Sequence, residues 1–259
     1  MHAIVDHIQS VDLNAGEEAR RYLDTLTKPP GSLGALEELA IQLSAITGEL
    51  KPSVTPPAVV VFAADHGVAA EGVSAFSQAV TAQMVANFAN GGAAINVFAR
   101  QIGAQVEIVD VGVASPLTLP GVTSARVRQG TANMVVEDAM QFDQGIAAID
   151  VGVAAVNRAK RAGAKCLIVG EMGIANTTAS SAMLAVLTGE SVASVVGAGT
   201  GINPQQQAHK VAVIERAIAA RSANAQAPLE VLGKLGGLEI AAMTGAYLAA
   251  AAQRLPAIV

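Results

Sequence analysis

The sequence predicts an α/β protein in which a parallel sheet is covered by helices on both faces, a Rossmann-like three-layer arrangement, with a smaller helical domain supplied by the N-terminal segment. Three observations point there. Short, continuous runs of β-branched and small apolar residues recur along the chain, as expected of strands buried on both faces. Helical stretches separate these runs, the pattern that crossover-connected parallel strands require. Glycine-rich turns follow them, at the strand ends where open α/β sheets place their ligands.

The first 50 residues read as helical, with Asn14 placed to cap a helix over 15–26. Pro29, Pro30 and Gly31 interrupt the pattern, and Ser32 stands as the cap of a second helix. Its apolar residues Leu33, Leu36, Leu39, Ile41, Leu43 and Ile46 follow the helical period roughly, so one face is expected to pack on something else. We divide the chain there, with 1–55 as the N-terminal helical segment and 56–259 as the nucleotide-binding α/β domain. Residues 58–64 (AVVVFAA) read as the first buried strand, ending in Asp65-His66-Gly67. Further strands are expected at 106–111, 166–169 and 192–196, with helices over 79–101, 146–162 and 205–220. The most apolar stretch, 240–252, has the length of a core helix and is too short to cross a bilayer. After it, residues 255–259 look like a helix running into a buried strand, so residues are expected beyond Val259 and this domain is expected to be incomplete.

Composition narrows the function classes. With 52% apolar and 14% charged residues among 259, the chain can bury a large core. A formal charge of −5, scattered along the sequence, offers no basic stripe for nucleic acid and no polybasic run for a membrane surface. The single cysteine, Cys166, lies in an apolar run and reads as a core residue in a reducing, cytoplasmic protein. The start of the chain carries acids where an export signal needs bases and an apolar block. The four histidines lack metal-ligand spacing, so neither metal nor cofactor is expected.

Candidate chemistry gathers at two glycine-rich turns. In CLIVGEMGIANTT (166–178), glycines let backbone N–H groups approach an anion, and a helix N-terminus adds partial positive charge. Glu171 in this turn reads as a ligand-facing acid, because an uncompensated buried carboxylate is costly. Asn176 and Thr177 taken alone read as helix caps. In VVGAGTGI (195–202), Gly197, Gly199 and Gly201 fall at every second position. That register suits a loop wrapped around one phosphate better than the turn of a dinucleotide site, which weakens a dehydrogenase reading. Lys210 follows in the next helix. It could reach the same phosphate, although taken alone it reads as a solvated lysine. His66 reads as fixing the turn after its strand, oriented by Asp65 or by backbone, ahead of any acid-base role.

The order of these motifs resembles the nicotinate-nucleotide:dimethylbenzimidazole phosphoribosyltransferase family. The matching segments are 28–34 (KPPGSLG), 64–68 (ADHGV), 80–84 (VTAQM), 109–113 (VDVGV), 170–178 (GEMGIANTT), 195–202, 203–210, 234–237 (KLGG) and Met243-Thr244-Gly245. The resemblance implies transfer of the 5-phosphoribosyl group of nicotinate mononucleotide to 5,6-dimethylbenzimidazole, with inversion and release of nicotinate, by a homodimer that uses no metal or cofactor. It implies nucleotide contacts at Met172, Gly173, Ile174, Asn176, Thr177, Gly199, Thr200, Gly201 and Lys210, with Glu171 as a supporting acid. For the acceptor base it points to Phe76, Ser77, Gln78 and Met84, where Phe76 and Met84 replace a serine and a glutamine of some members. The family's principal general base, a glutamate near its C-terminus, is expected beyond Val259. A non-catalytic nucleotide-binding fragment is the alternative reading.

Overall fold

The computed structural model describes residues 2–259. Five strands form one parallel sheet in the order β3-β2-β1-β4-β5: β1 (Pro57–Ala64), β2 (Gln105–Gly112), β3 (Val122–Ser124), β4 (Cys166–Met172) and β5 (Ala257–Ile258). Every residue of β1 is buried, because β2 and β4 flank it and helices cover both its faces. Side chains alternate across the sheet. Val60, Phe62 and Ala64 point to one layer, and Val59, Val61 and Ala63 to the other.

In chain order the helices are α1 (His2–Val5), α2 (Leu13–Asp24), α3 (Ala35–Thr47), α4 (Ala79–Ala89), α5 (Ala94–Ile102), α6 (Phe142–Arg161), α7 (Asn176–Thr188), α8 (Val192–Val195), α9 (Pro204–Arg221), α10 (Pro228–Leu235) and α11 (Leu238–Ala252). On the Phe62 side lie α6 and α11, packed so tightly that a Cβ on Gly152 would overlap the carbonyl of Ala242, and one on Gly245 that of Ile149. With alanines along the same seam, the two backbones approach as larger side chains would forbid. The opposite layer holds Val85 of α4 and Ala99 of α5. Beyond the C-terminal ends of the strands, α7, α9 and α10 surround a second core built on Ala182, Val213, Ile214, Val231 and Leu235.

Several expectations from sequence are corrected. The first long helix is capped by Asp12, whose carboxylate accepts the Ala15 N–H at 3.0 Å, and not by Asn14, which lies inside the helix. Gly34, not Ser32, precedes α3, while Glu37 accepts the Leu33 N–H and pairs with Lys28 at 3.0 Å. The expected helix over 79–101 is two helices, separated at Gly91 (φ +75°) and held by Asn96, which donates to Phe88 O and accepts from Ala93 N. The apolar run at 192–196 begins with a helical turn and is not a strand. Ser191 caps it by accepting the Ser194 N–H, and the sheet position beside β4 belongs to β5. Leu33, just before α3, and Leu36 and Leu39 on it are each at least half exposed, so much of the predicted apolar face is uncovered. The chain running from α11 into a strand, the buried α11 itself and buried Cys166 match the sequence reading. Among the described residues, no helix is long and apolar enough to cross a membrane.

Candidate active site

The C-terminal end of β4 delivers Glu171 and Met172 into a tight turn that feeds α7. Ala175 closes the turn with φ +72°, a left-handed conformation that a residue with a Cβ adopts only under constraint. Opposite lies the loop after α8, where Gly199 (φ +53°) brings backbone against Thr177 and Lys210. A Cβ there would stand 3.1 Å from Thr177 Oγ1 and 3.5 Å from Lys210 Nζ. Between the two turns is a cleft with about 510 Å³ of empty space, counting its open mouth. It is walled by residues 171–177, by Ala198, Gly199, Thr200 and Ile202, by Lys210 from α9, and by Val73 and Ser74 from the segment after β1.

Lys210 departs furthest from what it suggests taken alone, a solvated lysine. It is 1% exposed, its ammonium donates to Thr177 Oγ1 at 2.6 Å, and no carboxylate pairs with it among the described residues. Burial pushes its pKa below the ordinary lysine range. A buried cation at the wall of a glycine-lined cleft is a seat for an anion, because an anion would supply the missing counter-charge. Glu171 shares the cleft. The residue as a whole is exposed, yet desolvation of the carboxyl, reinforced by the charge of Glu239, pushes its pKa up to about 7. The charge of His66 and the Gly173 N–H pull the other way without cancelling that rise.

Neither Asn176 nor Thr177 caps α7. Ala175 occupies the cap position, Asn176 donates through Nδ2 to Glu239 Oε1 at 2.7 Å, and Thr177 receives Lys210. His66 is held by Glu239 Oε1 at 2.5 Å and not by Asp65, whose carboxylate accepts the Ala114 N–H instead. Burial alone would lower the His66 pKa; the neighbouring carboxylates, Glu239 foremost, outweigh it and raise the group. Two residues important to this geometry escaped the sequence reading. Thr81 accepts the Ile174 N–H at 3.1 Å and so ties α4 to the turn. Glu239, fully buried at the start of α11, carried one legible signal: it is a lone acid opening the most apolar helix.

Of the residues expected to contact nucleotide, all but Gly201 line this one cleft, and Gly201 (φ +101°) lies in the loop that closes it. The four expected to hold the acceptor base do not line it. Phe76 is half exposed, Gln78 donates to His66 O at 3.1 Å, Ser77 lies between them, and Met84 is half-buried within α4. The dehydrogenase reading loses its structural premise, since the loop at 197–201 follows a helical turn and not a strand.

A family model described as phosphoribosyltransferase matches residues 8–259. The chain is 51% identical over 256 residues to the nicotinate-nucleotide–dimethylbenzimidazole phosphoribosyltransferase of Halalkalibacterium halodurans, covering 99% of this chain and 72% of that protein. It is 52% identical to the protein of the same name from Chloroflexus aggregans, covering 98% and 72% respectively. The crystal structure of CobT from Thermus thermophilus superposes with a TM-score of 0.88 at 43% identity, covering 94% of this chain and 73% of that one. By the extent of these matches and the fold they share, the chain belongs to the nicotinate-nucleotide–dimethylbenzimidazole phosphoribosyltransferase family.

Proposed function

We propose that the chain transfers the 5-phosphoribosyl group of nicotinate mononucleotide to 5,6-dimethylbenzimidazole, giving α-ribazole 5′-phosphate and nicotinate for assembly of the lower ligand of cobalamin. One observation carries the reading beyond family membership: buried Lys210, without a carboxylate partner among the described residues, faces a glycine-lined cleft that also holds Glu171. In this reading the 5′-phosphate sits against Lys210, Thr177, Gly199, Thr200 and Gly201. The ribose and pyridinium lie along Met172, Gly173, Ile174 and Asn176. The pyridinium is already an activated leaving group, so departure of nicotinate requires no added acid. The acceptor nitrogen attacks the anomeric carbon from the opposite face, its bond forming as the glycosidic bond breaks. The attacking nitrogen is the one that carries no hydrogen, and the proton on the other ring nitrogen then passes to water or to a neighbouring carboxylate. Glu171, on the wall of the cleft, is suited in its ionised form to stabilising the positive charge that develops. Phe76, Ser77, Gln78 and Met84, which lie outside the lining of the cleft, would contact the acceptor base in this reading.

The test is calorimetric titration with nicotinate mononucleotide, followed by chromatographic detection of the α-riboside on adding dimethylbenzimidazole. Saturable binding and product are the expected outcome. Binding without product would reduce the chain to a nucleotide-binding unit, and absence of binding would refute the reading. We also infer a cytoplasmic homodimer. The uncovered Leu33, Leu36 and Leu39 offer an apolar face of the kind subunit contacts bury, and light scattering at the mass of one chain would refute the dimer.

A further inference from the structure

Three elements converge on one fully buried carboxylate behind the cleft. Glu239, in the first turn of α11, is 0% exposed; through one oxygen it accepts from Asn176 Nδ2 at 2.7 Å and meets His66 Nε2 at 2.5 Å. Its other oxygen and His66 Nδ1 have no hydrogen-bond partner among the described residues. The pair is therefore isolated apart from Asn176. An acid in the first turn of a helix is commonly explained by the helix dipole, but such an acid sits exposed, whereas this one reaches away to two other elements. Stability does not account for it either, because a buried ion pair is often no better for the fold than apolar packing. The surroundings are shaped for the pair. A Cβ on Gly237 would overlap the His66 ring and fall 2.8 Å from Glu239 Oε2, and one on Gly173 would lie 3.4 Å from the ring's other edge.

We propose that Glu239 is a positioning residue for this site: clamped by His66, its carboxylate holds Asn176, and with it the strained turn at 173–176. The inference deepens the function proposed above and rests on it for the identity of the ligand. The strain at Ala175 gives the brace its purpose, since a left-handed alanine persists only where surrounding contacts enforce it. Asn176 is the first residue of α7 after that alanine and is itself buried.

The experiment follows the Asn176 side-chain amide by NMR in the unliganded protein, and separately measures nicotinate mononucleotide binding by calorimetry. Glu239→Ala is expected to shift that amide resonance and to weaken binding about tenfold. Asn176→Ala is expected to weaken binding comparably, and the double variant to bind no more weakly than either single one, because both remove the same brace. An unmoved amide resonance in Glu239→Ala, or losses that simply add in the double variant, overturns the proposal. Should Glu239→Ala fail to fold, Asn176→Ala decides, and an unchanged affinity there overturns it. Loss of nucleotide binding in every protein, wild type included, would count against the proposed function. The amide resonance, which needs no ligand, would still settle the role of Glu239.

Discussion

One helix, α11, belongs to two opposite environments. Along its body it faces α6 across a seam of alanine and glycine, with Ala241, Ala242, Ala246 and Ala249 at 0% exposure. At its first turn, Glu239 meets His66 and Asn176 in a buried polar cluster under the cleft. The seam needs only small size and close approach, and shape decides everything in it. The cluster needs partners for every charge, and what matters there is which group holds which proton.

Enlarging the seam should produce the greatest loss. Gly245→Val, forced against the carbonyl of Ile149, is expected to cost about 3 kcal/mol or more in urea denaturation, with the cleft lost as the fold loosens. A near-neutral result would show that α6 and α11 separate easily, and would break the contrast. Next comes the cluster side of the cleft. Lys210→Met should reduce affinity for nicotinate mononucleotide about a hundredfold while leaving the unliganded protein as stable or more so, because it removes a buried charge that has no carboxylate beside it. Equal affinity in the variant would remove Lys210 from the anion seat. Smaller again is Thr81→Val, which keeps shape but leaves the Ile174 N–H without its acceptor. The expected cost is about 1 to 2 kcal/mol by thermal denaturation, and no loss would mean that the turn does not depend on this tie.

The smallest effect is one of pH. The Glu171 carboxyl is raised in the folded chain, from 4.5 to about 7, so the folded form binds its proton more tightly than the unfolded form does. Its contribution to stability is therefore present below pH 4.5 and is lost as pH rises toward 7. Glu171→Gln should flatten that part of the stability curve, read from urea midpoints across the window. An unchanged slope would place the carboxyl in water.

The two regions were not equally legible in sequence. Strands β1, β2 and β4 stood out because burial on both faces writes a continuous apolar run, and the walls of the cleft followed from glycines and polar residues just past strand ends. Residues 192–196 misled because a short β-branched run is the same text for a strand and for a capped helical turn, and Ser191 decided it locally. The caps of α2 and α3 were misplaced by two residues, since several polar residues near a helix start can serve and only geometry selects one. Taken alone, Lys210 reads as solvated, because a lysine in a helix carries no mark of what lies above it. The pairing of His66 with Glu239 joins positions 173 residues apart, and nothing local announces it. Asp65, adjacent in sequence, was the nearer candidate, but the Ala114 N–H engages its carboxylate.

The imidazole of His66 is wedged between two glycines, one from the turn after β4 and one from the junction of α10 and α11. A side chain at Gly237 would collide with the ring, and one at Gly173 with the Ala64 carbonyl, so the backbone behind the cleft is closed to substitution. The opposite rim, formed by the segment following β1 and the loop at 197–201, is less confined, and a Cβ at Gly197 would stand in open space. Selectivity can be retuned at that rim by substitution while the backbone behind the cleft is left untouched.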